Sequence, residues 1–135
     1  MAKAQRVAFM KCTLADTPGS LLTLASNLKM KKVGLLGLSG SAGQPGNSEV
    51  YLIVKDVDKI RNALKASGMQ FEEGTGFYLK GADKTGALVT TLDTLAKANV
   101  NLVGGCALAV SGNYGLFLRV APDDLQRAAQ ALGVK

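Results

Sequence analysis

The sequence predicts an α+β protein made of two βαββαβ repeats that share one antiparallel sheet, with their helices on one face. A shift of 67 residues brings the first half of the chain onto the second: Asp16 and Gly19 fall on Asp83 and Gly86, and the same ladder of apolar residues follows. In each half the apolar period changes from that of a strand to that of a helix and back. Because half of 135 residues buries too little surface to be stable alone, we expect the repeats to share a core or a sheet.

The first repeat, residues 1–73, is predicted to open with a strand and a helix. An apolar run with the alternation of a strand ends at Asp16. The period then becomes helical, with apolar residues at Leu21, Leu24, Ala25 and Leu28. With Thr17 as N-cap and Pro18 at the first helical position, we expect a helix over residues 18–31.

A β-hairpin is predicted next, with strands at residues 35–39 and 49–55. The repeats are related by 67 residues before this hairpin and by 65 after it, so the first repeat holds two extra residues. We place both in residues 40–48, which are rich in Gly, Ser and Pro. An insertion there indicates a loop at the surface.

A second helix and a fourth strand complete the first repeat. Asp56 or Asp58 is predicted to begin the helix, and Gly68 to follow its last turn. Residues 69–73 are predicted to form the fourth strand. The resulting βαββαβ order is the ferredoxin-like arrangement, with helices on one face of an antiparallel sheet.

The second repeat, residues 74–135, shows the same order without its last strand. Its predicted elements are a strand at residues 77–80, a helix at 85–98, strands at 102–110 and 115–120, and a helix at 122–132. The three residues that remain are too few for a fourth strand. Residues 2–13 are long enough for a strand with an extension. We therefore predict that first strands are exchanged between the repeats, or that the N-terminal strand covers the open edge.

The composition excludes several kinds of enzyme site. The chain has no histidine, which excludes His-based acid–base catalysis, Ser/His and Cys/His nucleophile pairs and most zinc sites. Cys12 and Cys106 form no CxxC pair and occupy non-equivalent places in the repeats, so both are predicted to be small buried apolar residues. We expect a protein that is not an enzyme and that uses no metal or cofactor.

The net charge of +6 does not by itself indicate a nucleic-acid partner. Its densest cluster, Lys29, Lys31 and Lys32, lies where the first helix is predicted to end, and cations there stabilise the helix dipole. The longest apolar run is only a few residues, so no transmembrane span is expected. Residues 1–11 lack the apolar segment of a signal peptide, and we expect a cytoplasmic protein with no membrane partner.

Between its first strand and first helix, each repeat has an Asp and a Gly three positions apart, as D-T-P-G at residues 16–19 and D-K-T-G at residues 83–86. Such a turn directs the free N–H groups of the helix N-terminus at one spot, which favours a carboxylate or a phosphate. The glycine allows a ligand to approach the backbone closely. The alternative is a capped helix start in which the Asp makes a local Asx turn.

The D-T-P-G turn, the Leu-rich helix after it and a Val-Gly junction that leads into a β-hairpin together resemble the ACT domain, a regulatory module that binds amino acids. The resemblance covers residues 7–73 and residues 77–135 as two copies, of which the first is the more specific match. It implies a tandem ACT-domain protein that binds a small effector where two modules pack side by side. It also implies a homodimer, and a separate biosynthetic enzyme or regulator as partner.

The same resemblance implies which residues bind the ligand. Backbone N–H groups of the two loops would take its carboxylate, and Asp16 or Asp83 would face its ammonium. Strand segments 35–39 and 101–106 would face the loops. The implied ligand-binding residues are Asp16, Thr17, Pro18, Gly19, Ser20, Leu36, Leu38, Asp83, Thr85, Gly86, Ala87, Asn101, Val103 and Cys106. Since the strands offer apolar side chains and the loops offer no Arg, a neutral amino acid is the expected ligand.

Two other functions use the same order of elements. An RNA-recognition motif stacks bases on aromatic residues of its central strands, and N-Y-G-L-F at residues 113–117 faintly matches that signature. A structural or adaptor module without a ligand is the other alternative. An acylphosphatase-like enzyme would need an Arg in the first loop, and a metal carrier would need a Cys pair there; the chain has neither.

Overall fold

The computed structural model describes residues 3–134. In chain order the elements are β1 Lys3–Ala15, α1 Ser20–Met30, β2 Leu35–Ala42, β3 Asn47–Val54, α2 Val57–Ala66, β4 Phe71–Ala82, α3 Ala87–Lys97, β5 Leu102–Val110, β6 Asn113–Val120 and α4 Leu125–Leu132, with a 3-10 turn at Pro122–Asp124. Hydrogen bonds join the strands in the order β2-β3-β1-β4-β6-β5. This confirms the predicted fold class: α+β, with two ferredoxin-like βαββαβ repeats that share an antiparallel sheet. No helix within residues 3–134 is both long and apolar enough to cross a membrane.

The chain divides into two compact units, and we call Ala8–Gly74 the first unit. Its strand order is β2-β3-β1-β4, with β1 counted from residue 8 and β4 up to residue 74. One face of its sheet packs against both helices in a core of Met10, Cys12, Leu14, Leu24, Leu28, Val50, Leu52, Val54, Ile60, Ala63 and Leu64. Because the core residues of β1 and β3 alternate along each strand, α1 and α2 cover the same face of this unit.

The second unit consists of residues 75–134 together with residues 3–7. Its strand order is β5-β6-β4-β1, so the start of β1 occupies the place of the fourth strand that the second repeat lacks. Ala4 packs against the core of this unit, which β4, β6, α3 and α4 form. Residues 3–7 of the first repeat therefore belong to the second unit, which is the predicted alternative in which the N-terminal strand covers the open edge. The structure shows no reciprocal exchange of first strands within residues 3–134. Residue 2, where that predicted N-terminal strand begins, lies outside the described residues.

Strand β4 is continuous, and the prediction of two separate strands at residues 69–73 and 77–80 was wrong. Gly74 and Gly76 lie between those segments. Neither forms a turn; the lack of a side chain at each lets an aromatic ring pack against the strand. A Cβ atom at Gly74 would lie 2.2 Å from the ring of Phe9, and one at Gly76 would lie 2.8 Å from the ring of Phe117. The strand thus passes closely by two rings without ending.

The first helix of each repeat begins two residues later than predicted, at Ser20 and at Ala87. Gly19 and Gly86 hold the N-cap positions with φ of 90° and 78°, the left-handed conformation that favours glycine. The preceding turn therefore continues to the glycine, and neither Thr17 nor Pro18 has the predicted helical role. By contrast, Asp56, one of the two residues predicted to begin α2, is its N-cap, and its carboxylate accepts a hydrogen bond from the Lys59 N–H at 3.1 Å.

Only one of the two extra residues of the first repeat lies in the β2–β3 hairpin. In the first repeat Ala42 pairs with Ser48, and in the second repeat Ala109 pairs with Tyr114. The hairpin loop between the paired residues is one residue longer in the first repeat. The second extra residue lies between the end of β3 and Gly68, because the segment from β6 to Gly133 is one residue shorter. The prediction that both lie in residues 40–48 was therefore wrong for one of them.

Candidate ligand-binding site

The two strand-to-helix loops are anchored in the same way by the hairpin of their own unit. The N–H of Asp16 donates to the carbonyl of Gly46 at 3.0 Å, and the N–H of Asp83 donates to the carbonyl of Gly112 at 2.9 Å. In the first loop the hydroxyls of Thr17 and Ser20 also hydrogen-bond each other at 2.9 Å. Each hairpin tip thus fixes the point at which the aspartate leaves its strand.

The second loop leaves donors free at the start of α3. The Ala87 N–H donates to the Lys84 carbonyl at 2.9 Å, and the Val89 N–H donates to the Gly86 carbonyl at 3.0 Å. Within residues 3–134, the N–H groups of Gly86 and Leu88 donate to no acceptor. No side chain caps this helix. The helix start therefore keeps the donors and the positive end of the dipole that an anion prefers.

A groove of about 380 Å³ opens beside this loop within the second unit. It is lined by Asp83, Lys84, Gly86, Ala87, Leu88 and Val89 from the loop and α3, by Ala107, Leu108 and Ala109 from β5, and by Tyr114 from β6. This volume lies in the usual range for small-molecule sites. The loop and the hairpin of the second unit together form a pocket large enough for an amino acid.

Two opposite charges line this groove without neutralising each other. Asp83 and Lys84 are both exposed, and neither makes an ion pair with any residue in 3–134. Their neighbours in the groove are apolar apart from Tyr114. A carboxylate and an ammonium group are therefore both available to a zwitterionic ligand, together with the free N–H groups of α3.

The structure brings together some of the implied ligand residues of the second repeat. Asp83, Gly86 and Ala87 line the groove itself. Val103 and Cys106 line a second, adjoining groove with Leu88 and Leu92 of α3. Thr85 and Asn101 are not among the lining residues of either groove. The backbone N–H of Asn101 instead donates to the Asp124 carboxylate at 3.0 Å.

In the first repeat the implied residues lie on the corresponding elements. Asp16, Thr17 and Pro18 form an exposed turn, Gly19 is the N-cap and Ser20 is the first residue of α1. Leu36 is half-buried in β2, and Leu38 is 41% exposed. Their role in ligand binding remains a prediction.

Sequence reasoning missed Tyr114 and the apolar wall of β5 as lining residues. Lys84, the second residue of the D-K-T-G turn, is likewise not among the implied ligand-binding residues. The faint N-Y-G-L-F signature drew attention to Tyr114 for a different function. Its nearness to the loop depends on the anchoring of Asp83 to Gly112 at the hairpin tip, a contact that no local pattern reveals.

The two cysteines differ in environment. Cys12 is fully buried in the core of the first unit, as predicted, and burial raises the pKa of its thiol to about 11. It is therefore protonated and unreactive at neutral pH. Cys106 is only half-buried, contrary to the prediction, because β5 is the last strand in the sheet order. No three His, Cys, Asp or Glu side chains in residues 3–134 are grouped as they would be to hold a metal ion.

Comparison with known proteins gives a match in structure but not in sequence. No family model matches the sequence, and no curated protein matches it. Protein BT0572 from Bacteroides thetaiotaomicron superimposes with a TM-score of 0.85 at 18% identity, over 96% of this chain and 88% of that one. The ligand-free regulatory subunit of aspartate kinase from Thermus thermophilus gives 0.67 at 11% identity, over 95% and 90%. The corresponding subunit from Thermus flavus gives 0.66 at 13%, over 98% and 94%.

These matches define the class of fold. The two βαββαβ units of this chain superimpose over almost their full length on regulatory subunits of aspartate kinase, and they share the α+β fold of those proteins. The chain has the fold of a tandem ACT-domain protein, as the resemblance of its sequence implied. At 11% to 18% identity the likeness concerns the fold alone.

Proposed function

We propose that this protein is an amino-acid-binding regulatory module whose ligand sites are the strand-to-helix loops. The observation that carries the proposal is the groove beside the second loop, where Asp83, Lys84 and the free N–H groups of α3 surround an otherwise largely apolar pocket. An α-amino acid has the complementary groups: an ammonium for Asp83, a carboxylate for Lys84 and the helix start, and a side chain for the apolar wall. A neutral amino acid suits a groove that has one charge of each sign.

The fold supports a role in regulation rather than in catalysis. The similar structures from Thermus are regulatory subunits of an enzyme. We infer that the amino acid is an effector and that the protein passes its signal to a separate enzyme or regulator. An intracellular, cytoplasmic location fits this role.

We also propose that the protein forms a homodimer. The strands at the two ends of the sheet order, β2 and β5, contain no charged residue and no proline. Leu108 and Val110 of β5 are about two-thirds exposed. Edge strands of monomeric proteins are usually protected by such charges or prolines, so these edges are suited to contact a second copy.

RNA binding receives no support from the residues that suggested it. Tyr114 and Phe117 are 7% and 5% exposed, so neither offers an open ring face on which a base could stack. A basic surface alone would bind nucleic acid without specificity.

A thermal-shift experiment with all twenty amino acids tests the proposal. A ligand at one hundred times its dissociation constant should stabilise the protein by roughly 2.7 kcal/mol, which for a chain of this length raises Tm by about 10 °C. The matched variants Asp83→Asn and Asp16→Asn assign the effect to one loop. Valine at Gly19 or Gly86 is less informative, because positive φ strains any side chain there.

The first outcome that contradicts the proposal is the absence of any shift in the wild-type protein. The second is a full shift that persists in the double variant Asp16→Asn/Asp83→Asn. In either case the loops are only helix starts and the ligand-binding role proposed for them is wrong. With no shift at all, the module is structural.

A further inference from the structure

Tyr114 has an unusual position between the core of the second unit and the groove. Its ring belongs to the core, together with Phe77 and Leu116, and only 7% of the residue is exposed. Its hydroxyl makes no hydrogen bond with any residue in 3–134. A buried tyrosine hydroxyl normally finds a partner, because leaving it unpaired costs free energy.

The hydroxyl of Tyr114 is not sealed inside the protein. Among the described residues, the side-chain polar atom that is both enclosed and unpartnered is Oγ1 of Thr91. Tyr114 retains some accessible surface, and it lines the groove beside the second loop. A ligand in that groove can therefore supply the hydrogen-bond partner that the protein does not.

The other lining residues of the groove indicate which part of a ligand the hydroxyl of Tyr114 can contact. Asp83 and Lys84 carry the charges that match the ammonium and carboxylate of an amino acid. The remaining side chains are aliphatic: Ala87, Leu88, Val89, Ala107, Leu108 and Ala109. Tyr114 is thus the one uncharged polar side chain in the lining. Its hydroxyl is available to form a hydrogen bond with the side chain of a bound amino acid.

The first repeat does not have the same pair of residues. Ser48 pairs with Ala42 as Tyr114 pairs with Ala109, so a short side chain stands in the place of the tyrosine. Thr17 stands in the place of Lys84, and its hydroxyl is occupied by Ser20. The groove beside the second loop therefore combines a cation with a free phenol hydroxyl, and the first loop does not have this combination.

We propose that Tyr114 determines the specificity of the second-loop groove, and that the groove selects a neutral amino acid whose side chain carries a hydrogen-bonding group close to Cβ. This inference rests on the proposed function, because it assumes that the groove binds an amino acid. The physical reason is that a purely aliphatic side chain leaves the hydroxyl of Tyr114 without a partner, whereas a hydroxyl-bearing one satisfies it.

Isosteric pairs of amino acids test this selectivity directly. Serine is compared with 2-aminobutyrate, and threonine with valine, by titration calorimetry on the full-length protein. Each pair differs by a hydroxyl in place of a methyl group. In the wild-type protein we expect the hydroxyl-bearing member to bind roughly tenfold more tightly, the usual effect of one neutral hydrogen bond.

Three variants identify the residue responsible. Tyr114→Phe keeps the ring in the core and should remove the preference within each pair, and valine should bind more tightly than it does to the wild-type protein because no hydroxyl is then left without a partner. Tyr78→Phe, on β4 of the same unit, is the matched control and should keep the preference. Lys84→Gln should weaken both members of a pair equally, because it acts on the shared carboxylate. Circular dichroism confirms that each variant is folded.

The outcomes separate this inference from the proposed function. If amino acids bind but the members of each pair bind equally, or if the preference survives in Tyr114→Phe, the role of Tyr114 is wrong and the proposed function stands. Tighter binding of an acidic amino acid than of either pair would also overturn the inference. If no amino acid binds at all, both proposals are wrong.

Discussion

Thr91 offers a direct test of how the second unit is packed. This residue lies on α3, is 0% exposed, and its hydroxyl has no hydrogen-bond partner among the described residues. The equivalent residue of the first repeat is Leu24, which is also buried. Replacement of Thr91 by valine removes the hydroxyl and leaves the shape of the side chain almost unchanged.

The expected gain follows from the cost of the unpaired hydroxyl. Burying a polar group without a partner costs about 1–3 kcal/mol, and valine and threonine have similar helix propensities. We therefore expect Thr91→Val to raise the free energy of unfolding by about 1–2 kcal/mol. With an unfolding entropy of about 2.1 cal/mol/K per residue, this corresponds to a rise in Tm of roughly 4–7 °C.

Urea unfolding followed by circular dichroism measures the change, and calorimetry gives Tm. The matched control is Thr94→Val on the same helix, where the hydroxyl is exposed and donates to the Thr90 carbonyl at 2.8 Å. That variant should change the stability by less than about 0.5 kcal/mol. The reasoning is refuted if Thr91→Val is no more stable than the wild-type protein, since the hydroxyl would then have a partner or a solvent path.

Two further predictions concern the sheet. Gly74→Ala should lower Tm clearly more than Gly34→Ala does. A Cβ at Gly74 would lie 2.2 Å from the ring of Phe9, whereas a Cβ at Gly34 would meet nothing within 4 Å. Equal Tm values in the two variants would contradict the close packing of β4. Sedimentation velocity should show that the wild-type protein is a dimer. The variant Val103→Lys, which places a charge on β5, should be a monomer. A wild-type protein that stays monomeric at high concentration would contradict the proposed self-association.

The sequence is most informative where local patterns and tertiary packing agree. The bounds of β5, the capping of α2 by Asp56 and the positive φ of Gly68 all follow from residues within a few positions of each other. The duplication gave the fold class, because the same ladder of apolar residues occurs twice. The missing strand of the second repeat was visible as a shortage of residues at the C-terminus.

The features that could not be predicted depend on contacts between distant segments. Gly74 lies between two predicted strands, and only the ring of Phe9, more than sixty positions away in sequence, explains why the strand continues through it. Tyr114 reaches the groove because its hairpin is tied to the loop at Asp83. Neither contact has a signature in the neighbouring residues.

The contribution of residues 3–7 to the second unit has a consequence for how this protein can be divided and how it folds during synthesis. A cut between residues 73 and 74, at the boundary of the repeats, falls within β4 and removes the start of β1 from the unit that needs it. On the ribosome, residues 3–7 must wait until residue 75 and beyond have emerged before their unit can close, which makes its folding a long-range event. A chain that carried residues 74–135 alone would therefore lack the strand segment that completes the sheet of the second unit, whereas residues 8–74 already contain the whole first unit.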